Sequence, residues 1–392
     1  MTTGYTPIYR IMKDGEDITG NFNDRTLQIK VDLQAGNGND DQCTILIDDR
    51  DWRVARPYTG DIIAVWLGYV EVGMAYMGSF EVSDVSFIGP PRQIKLLAKS
   101  TGANDIHKAP AIKEFANKSI GDILGEMAGQ TGLGLAISGD LAGIKIPFKN
   151  QGVSNLHMIH ELERLAGAVA KVVDGKLMFI KRDDGTTASG VDLPTLVLVP
   201  EHFGTWDVRY ASKPGYGKVK AAWFDKDEMV RKWVGAAVGG ESGGPGLANK
   251  FGGAFNIGQL FNSKEEAEKA AASQAENLKR AEVLATFDLA KGDPWIRDQQ
   301  TLLVRGMRDA INGSYVIDKA SHTYIKSTGI KSSLECKAPG NGTNFEEASK
   351  EFMRPGPGEL LGEYLRSHPD INPNDLSQSD IDAINQGGFT TD

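Results

Sequence analysis

The dipeptide Asp174-Gly175 places the strongest local constraint on this chain, because it lies between two apolar-rich halves of residues 171–180. Both central residues of a two-residue type I′ turn need positive φ, which Asp and Gly tolerate. The stretch therefore predicts a β-hairpin. The preceding segment, residues 151–166, has the spacing of an amphipathic helix that begins at Ser154.

The composition is that of an ordinary globular protein, with 392 residues, 40% apolar and 24% charged. This length predicts two to four domains. No apolar run reaches the roughly 18 residues of a transmembrane helix, so no membrane-spanning segment is expected, and the first residues do not resemble a secretory signal. Cys43 and Cys336 are the only cysteines, which favours synthesis in a reducing cytoplasm over a disulfide framework.

The negative charge of the chain is concentrated at its end. Residues 341–392 hold ten acidic and three basic residues, so −7 of the formal charge of −9 lies there. The remainder is nearly neutral and shows no concentrated basic face. Specific nucleic-acid binding is therefore not expected.

The pattern along the chain predicts a mainly β fold of the α+β class, in which two antiparallel β-barrel domains flank a small helix and hairpin domain. In residues 1–104, short strands with period-2 alternation follow one another without long helices between them, which predicts a first, tube-like barrel. Residues 105–203 predict the α+β domain, with helices capped by Ser119 and Ser154 and with Gly132 ending the first one.

Residues 204–337 predict a second β-barrel with two additions. One is a helix opened by a capping box at Ser263 and continuing to about Lys279. The other is a glycine-rich segment, 235–258, which predicts a mobile loop. Residues 338–392 predict an acidic C-terminal arm that is largely extended or disordered.

The histidines His157 and His160, with Glu161 beside them, form the most suggestive metal constellation. Positions three apart share a helix face, so both imidazoles could meet one ion. The spacing is not that of H-E-x-x-H, and no third ligand is evident. Ordinary surface or interface histidines are the favoured interpretation.

Asp48, Asp49 and Asp51 cluster after a strand and could supply paired carboxylates for glycoside hydrolysis. An exposed acidic turn is far commoner. The pair Asp183 and Asp184 has the same interpretation.

The remaining motifs do not indicate a catalytic or ligand-binding function. Residues 239–246 lack the Lys-Ser/Thr of a phosphate-binding loop. Cys43 alternates with apolar strand residues, which favours a core position over a nucleophile. Trp66, Trp223 and Trp233 lie within strand patterns, where core or interface packing is the default. No catalytic, cofactor-binding or metal residue is predicted.

Several segments, taken in order, resemble the late-control D family of hub proteins from contractile phage tails, which is related to the N-terminal hub part of secretion-system spikes. The central match is the helix and hairpin of residues 151–180. The other matching segments are Trp66-Leu67-Gly68-Tyr69 after Gly60-Asp61, residues 119–133, residues 313–324 and residues 329–335. The resemblance covers about residues 5–337. It departs at Val153-Ser154, where the family often has an acid and a serine, and it gives no counterpart for the glycine-rich loop or for the arm after Lys337.

The resemblance implies a structural protein without an active site or cofactor. It would form a homotrimer at the centre of the baseplate, in which two related barrels per subunit make a quasi-sixfold ring. The spike would attach on one side, with the tail tube and tape-measure proteins on the other. Separately from the resemblance, the composition of the acidic arm predicts a peptide that orders on another baseplate protein. The protein would be assembled in the host cytoplasm and would end in the virion tail.

Two alternatives remain open at the level of sequence. One is the hub of a related device, a phage-derived bacteriocin or a secretion spike, which genomic neighbourhood would distinguish. The other is a tail-associated cell-wall hydrolase that uses the Asp48–Asp51 cluster or His157 and His160, which zymography on peptidoglycan would detect.

Overall fold

A computed structural model describes most of the chain. The described ranges are residues 5–22, 24–34, 40–101, 113–151, 154–182, 193–210, 216–225, 228–238, 253–280, 283–308 and 311–337. The acidic arm, residues 239–246 and the pair Asp183 and Asp184 lie outside these ranges.

Strands dominate the described residues, as the sequence predicts. The strands are β1 (Pro7–Lys13), β2 (Glu16–Asp17), β3 (Thr26–Gln34), β4 (Gln42–Asp48), β5 (Ile62–Tyr69), β6 (Gly73–Ile88), β7 (Gln93–Ser100), β8 (Lys113–Ser119), β9 (Gly134–Ile137), β10 (Lys145–Gln151), β11 (Ala168–Val173), β12 (Lys176–Lys181), β13 (Leu196–Leu198), β14 (Phe203–Tyr210), β15 (Tyr216–Asp225), β16 (Val230–Ala237), β17 (Gly253–Phe261), β18 (Val283–Leu289), β19 (Thr301–Val304), β20 (Gly313–Ile325) and β21 (Gly329–Lys337). The helices are α1 (Thr19–Phe22), α2 (Ile120–Gln130), α3 (Gly139–Ala142), α4 (Asn155–Ala166) and α5 (Lys264–Arg280).

One large sheet joins the two β regions of the chain. It contains 13 strands, and its main path runs β14-β18-β21-β20-β3-β4-β7-β6-β5-β1-β2, with β13 and β19 attached beside β20. The antiparallel pairing of β3 with β20 connects the two regions, with Asp32 opposite Ser321 and Ile29 opposite Tyr324. The mainly β prediction is confirmed. The closure of each region into a barrel and the domain boundaries stay predictions.

Alternation along these strands produces the main core. Ile29, Val31 and Leu33 of β3 face inward and are buried, as are Cys43 and Ile45 of the neighbouring β4. Burying such side chains contributes on the order of 1.5–3 kcal/mol each. Strands from both ends of the chain therefore share one hydrophobic core.

Residues 113–182, here called the middle unit, pack around the two predicted helices. Ser119 caps α2 in a reciprocal capping box with Asp122. Gly132 follows the helix with a φ of +73°. Asp174 and Gly175 have φ values of +48° and +70° and join β11 to β12, so the predicted hairpin is confirmed.

Residues 216–280, here called the inserted unit, form a separate three-stranded sheet in the order β16-β15-β17, covered by α5. β14 pairs directly with β18, so the chain leaves the large sheet after one and re-enters it at the other. The prediction of a loop over residues 235–258 is wrong at both ends, because β16 extends to Ala237 and β17 begins at Gly253. Alternating apolar residues at Phe255 and Ile257 pack on the helix and favour a strand there.

The strand β13 also belongs to the large sheet, which the sequence pattern did not indicate. It lies within the range predicted for the α+β domain but pairs in parallel with β19. The middle and inserted units also touch, because Leu165 of α4 packs against the cores of both.

Candidate functional site

The acidic cluster after β4 is engaged in hydrogen bonds and ion pairs within the chain. Asp51 accepts two hydrogen bonds from the Arg25 guanidinium at 2.7 and 2.8 Å, and this contact holds the pKa of Asp51 below its usual range. Asp48 pairs with Arg50 Nε at 3.0 Å, and Asp49 is buried and accepts a backbone N–H. All three carboxylates therefore have partners within the chain. Asp51 is exposed, as the predicted acidic turn expects, whereas the prediction is wrong for Asp49, which is buried.

The two histidines of α4 line one cavity but face different carboxylates. His157 Nε2 lies 3.5 Å from Glu161, and His160 Nε2 lies 3.9 Å from Glu163. The cavity has a volume of about 580 Å³ and lies where α4, α5, the start of β11, the residue after β12 and the end of β21 meet. Within the ranges that the structure describes, no group of three His, Cys, Asp or Glu side chains could hold a metal ion.

The other residues singled out by sequence are structural. Cys43 and Cys336 are free and buried, and burial raises the pKa of both thiols. Trp66 packs between Arg10 and Tyr76. Trp223 packs against the inserted unit's core, and Trp233 is about half exposed beneath Arg231.

A buried ion cluster connects the middle unit to the large sheet. Lys171 of β11 donates to both carboxylate oxygens of Asp298 at 2.8 Å and to Asp41 at 3.4 Å. Burial raises the pKa of Asp41 to about 6, although Lys171 opposes this shift. Burial alone would lower the pKa of Lys171, but the two carboxylates outweigh it and raise the pKa. The cluster holds three segments that are distant in sequence.

The tip of the Asp-Gly hairpin makes a second connection. Asp174 accepts hydrogen bonds from the Tyr76 hydroxyl at 2.9 Å and from the Ser79 N–H at 3.0 Å, both in β6. The Ser100 hydroxyl at the end of β7 donates to the carbonyl of Val172 at 2.5 Å. The turn therefore attaches the middle unit to the large sheet in addition to reversing the chain.

A third set of contacts joins the segment between β18 and β19 to β20, β21 and β6. His322 of β20 is fully buried, and its ring nitrogens lie 2.8 Å from Ser332 Oγ and 2.9 Å from the carbonyl of Ile296. Burial, with the nearby Arg297, lowers the pKa of His322 to about 3, so the ring is neutral. Arg297 also donates to the carbonyl of Tyr76 at 2.7 Å.

Apart from Asp174, which was predicted only as part of a turn, these connecting residues could not be identified from the sequence pattern. Lys171 gave one usable signal, because it is the only charged residue in the apolar strand β11. Asp41 and Asp298 gave none, since they lie in polar segments about 130 residues away from Lys171 in either direction.

The edge strand β14 presents two aromatic side chains that the described residues leave about half exposed. Trp206 and Tyr210 lie opposite the buried Phe287 and Val283 of β18, so they occupy the core-facing side of the sheet. Trp206 is nevertheless 49% exposed and Tyr210 is 56% exposed. Within the described ranges β14 pairs with β18 alone, so its outer edge remains open. An open edge with large apolar side chains is typical of a surface that pairs with another chain.

None of the helices described in the structure is both long and apolar enough to cross a membrane.

Comparison with known proteins gives a consistent result. No family model matches the chain. The chain is 24% identical over 376 residues to the "Probable baseplate hub protein" of Escherichia phage P2, covering 88% of this chain and 97% of that protein. It is 23% identical over 364 residues to the protein of the same name in Escherichia phage 186, covering 85% and 93%. The tail protein from Neisseria meningitidis MC58 has a similar fold, with a TM-score of 0.64, 11% identity and coverage of 87% of this chain and 99% of that one.

The chain therefore resembles phage baseplate hub proteins in sequence and has the mainly β fold of phage tail proteins. The predicted resemblance to the late-control D family is confirmed by similarity to baseplate hub proteins over 85–88% of this chain. These findings support a structural role in the phage tail baseplate and a place in the virion.

Proposed function

We propose that this chain is the homotrimeric hub at the centre of a contractile tail baseplate. The observation that carries the proposal is the single 13-stranded sheet that joins both β regions and ends at β14 with core-facing aromatic residues exposed. A contact between this edge and a different surface of the next subunit is heterologous, and a heterologous contact closes into a ring at a suitable rotation. Trp206 supplies the large apolar anchor that such interfaces favour.

In this proposal, each subunit contributes two barrel-like regions, so that three subunits present six similar surfaces to the tail tube. The spike binds one face of the ring, and the tube and tape-measure proteins bind the other. The buried Lys171 cluster and the Asp174 contacts fix the middle unit to the sheet, which makes the subunit rigid enough to transmit load.

The proposed function needs no enzymatic step. The carboxylates of the acidic cluster are already engaged in hydrogen bonds and ion pairs, and the two histidines face different carboxylates. Zymography on peptidoglycan with the purified chain tests this point directly. We expect no clearing, and a cleared band at the mass of the chain would support the hydrolase instead.

Co-assembly tests the hub itself. The purified chain is mixed with the tube and spike proteins of the same tail, and the complexes are separated on a density gradient. We expect the wild type and the control Trp52→Ser, which changes an exposed tryptophan elsewhere, to co-sediment with both partners. Trp206→Ser is expected to lose this association. Failure of the wild type to bind either partner would contradict the proposal.

The acidic arm is proposed to bind a further baseplate protein. Deletion of residues 341–392 is then expected to leave a folded ring and to weaken attachment of that protein. Unchanged assembly after the deletion would contradict this part.

A further inference from the structure

The cavity at the end of α4 is built largely from basic side chains. Its lining comes from all three parts of the molecule and includes Arg164 and Arg182 of the middle unit, Gln274 and Asn277 of the inserted unit and Lys337 of the large sheet. Arg164, Arg182 and Lys337 are basic, whereas Glu163 is the one acidic residue of the lining. A concave surface with such a charge attracts carboxylates or other anions.

The acidic member of the lining is only partly ionised at neutral pH. Glu163 is buried and accepts a hydrogen bond from the N–H of Ala170 at 2.6 Å. Burial raises the pKa of Glu163 to about 7, although Arg182 and Arg164 oppose the shift. Lys337 is already paired with Asp318, so Arg164 and Arg182 carry most of the positive field.

The path of the chain identifies an occupant. Lys337 is the last residue of β21 and lines the cavity, and the sequence continues from it into the acidic arm. The first acids of the arm are Glu346, Glu347 and Glu351. At about 3.3 Å per extended residue, the connection from Lys337 reaches roughly 30 Å, which is more than enough to return to the cavity.

We propose that the first acidic segment of the arm, residues 346–351, binds back into this cavity of its own chain through Arg164 and Arg182. The later acids remain available for a baseplate partner. The docked segment would fix the direction in which the arm leaves the subunit. This inference concerns a single chain, so it does not depend on ring formation.

Hydrogen–deuterium exchange of the full-length protein tests the proposal, read out on peptides that cover residues 338–355. We expect the amides in wild type to exchange about fivefold more slowly than those of Arg164→Gln/Arg182→Gln, because two charge-assisted contacts are removed. The control Arg53→Gln, which changes an exposed arginine elsewhere, is expected to match wild type. The arm variant Glu346→Gln/Glu347→Gln/Glu351→Gln tests the same contact without altering the folded part.

A charge exchange makes the test specific. Arg164→Glu/Arg182→Glu combined with Glu346→Lys/Glu347→Lys is expected to restore slow exchange. Equal exchange in wild type and in the arm variant would overturn the proposal. Protection that disappears on dilution would also overturn it, because the arm would then occupy the cavity of a neighbouring subunit.

Discussion

β3 and β14 belong to the same sheet but differ in what covers them. β3 pairs with β4 on one side and β20 on the other, and its inward residues Ile29 and Val31 are fully buried. β14 pairs with β18 alone within the described ranges, and its core-facing Trp206 is 49% exposed. The described residues therefore complete the core around β3 but leave the core-facing side of β14 partly exposed. In the trimer proposed above, a second subunit would cover β14.

Two groups of charged residues differ in a similar way, one being buried within the chain and the other lining an open cavity. The Lys171 cluster is buried and joins parts of one chain, whereas the arginines of the α4 cavity face a space that another segment can fill. The first is expected to affect stability, and the second to affect binding.

Removing the buried cation has the largest expected effect. Lys171→Met leaves Asp41 and Asp298 close together without a counter-ion, which is expected to cost about 3–5 kcal/mol of unfolding free energy at pH 7. Urea unfolding measures the change. The matched control Lys30→Met removes a lysine from a half-exposed pair with Asp32 and is expected to cost less than about 1 kcal/mol. Equal losses in the two variants would show that the cluster does not hold the units together.

Truncating each strand directly tests the comparison between β3 and β14. Ile29→Ala opens a cavity in the core and is expected to cost about 2–5 kcal/mol. Trp206→Ala is expected to cost about 1–2 kcal/mol in the separated subunit, less than Ile29→Ala, because only about half of its side chain is buried. A loss at Trp206 as large as that at Ile29 would mean that β14 is already covered within the chain.

His322 makes the stability of the β20 region depend on pH. Its pKa is about 3 in the folded protein and about 6.5 when unfolded, so the unfolded chain binds more protons and stability falls as the pH drops below about 6.5. Between pH 7 and pH 5 this group is expected to remove about 2 kcal/mol. Asp41 and Glu163 have raised pKa values and act in the opposite direction, so the difference between wild type and His322→Gln isolates the histidine. A difference that stays constant with pH would contradict this assignment.

The hairpin tip has the smallest expected effect. Asp174→Gly keeps a residue that tolerates positive φ but removes the hydrogen bonds from Tyr76 and Ser79, which is expected to cost about 1–2 kcal/mol. Asp174→Asn keeps an acceptor oxygen at the same place and is the control. Thermal unfolding of the two variants measures the difference. Equal melting temperatures would show that the turn only reverses the chain.

Local features of the fold could be predicted from sequence because their causes are local. The Asp174-Gly175 turn and the caps at Ser119 and Ser154 depend on residues close in the chain. The pairing of β3 with β20 could not be predicted in this way, since its partners lie almost 300 residues apart and both strands alternate in the usual manner. The same holds for the cluster around Lys171. The ends of the glycine-rich segment were wrongly predicted as a loop, because packing against α5 outweighs the weak strand propensity of glycine.

The mass of the purified full-length chain in solution, measured by light scattering on wild type and Trp206→Ser, tests the central claim most directly. The account predicts a wild-type mass of three times the 42.4 kDa of one chain and a shift of Trp206→Ser toward a single chain. The control Trp52→Ser should behave as wild type. A wild-type mass of one chain at every concentration, unchanged when the tube and spike proteins are added, would contradict it.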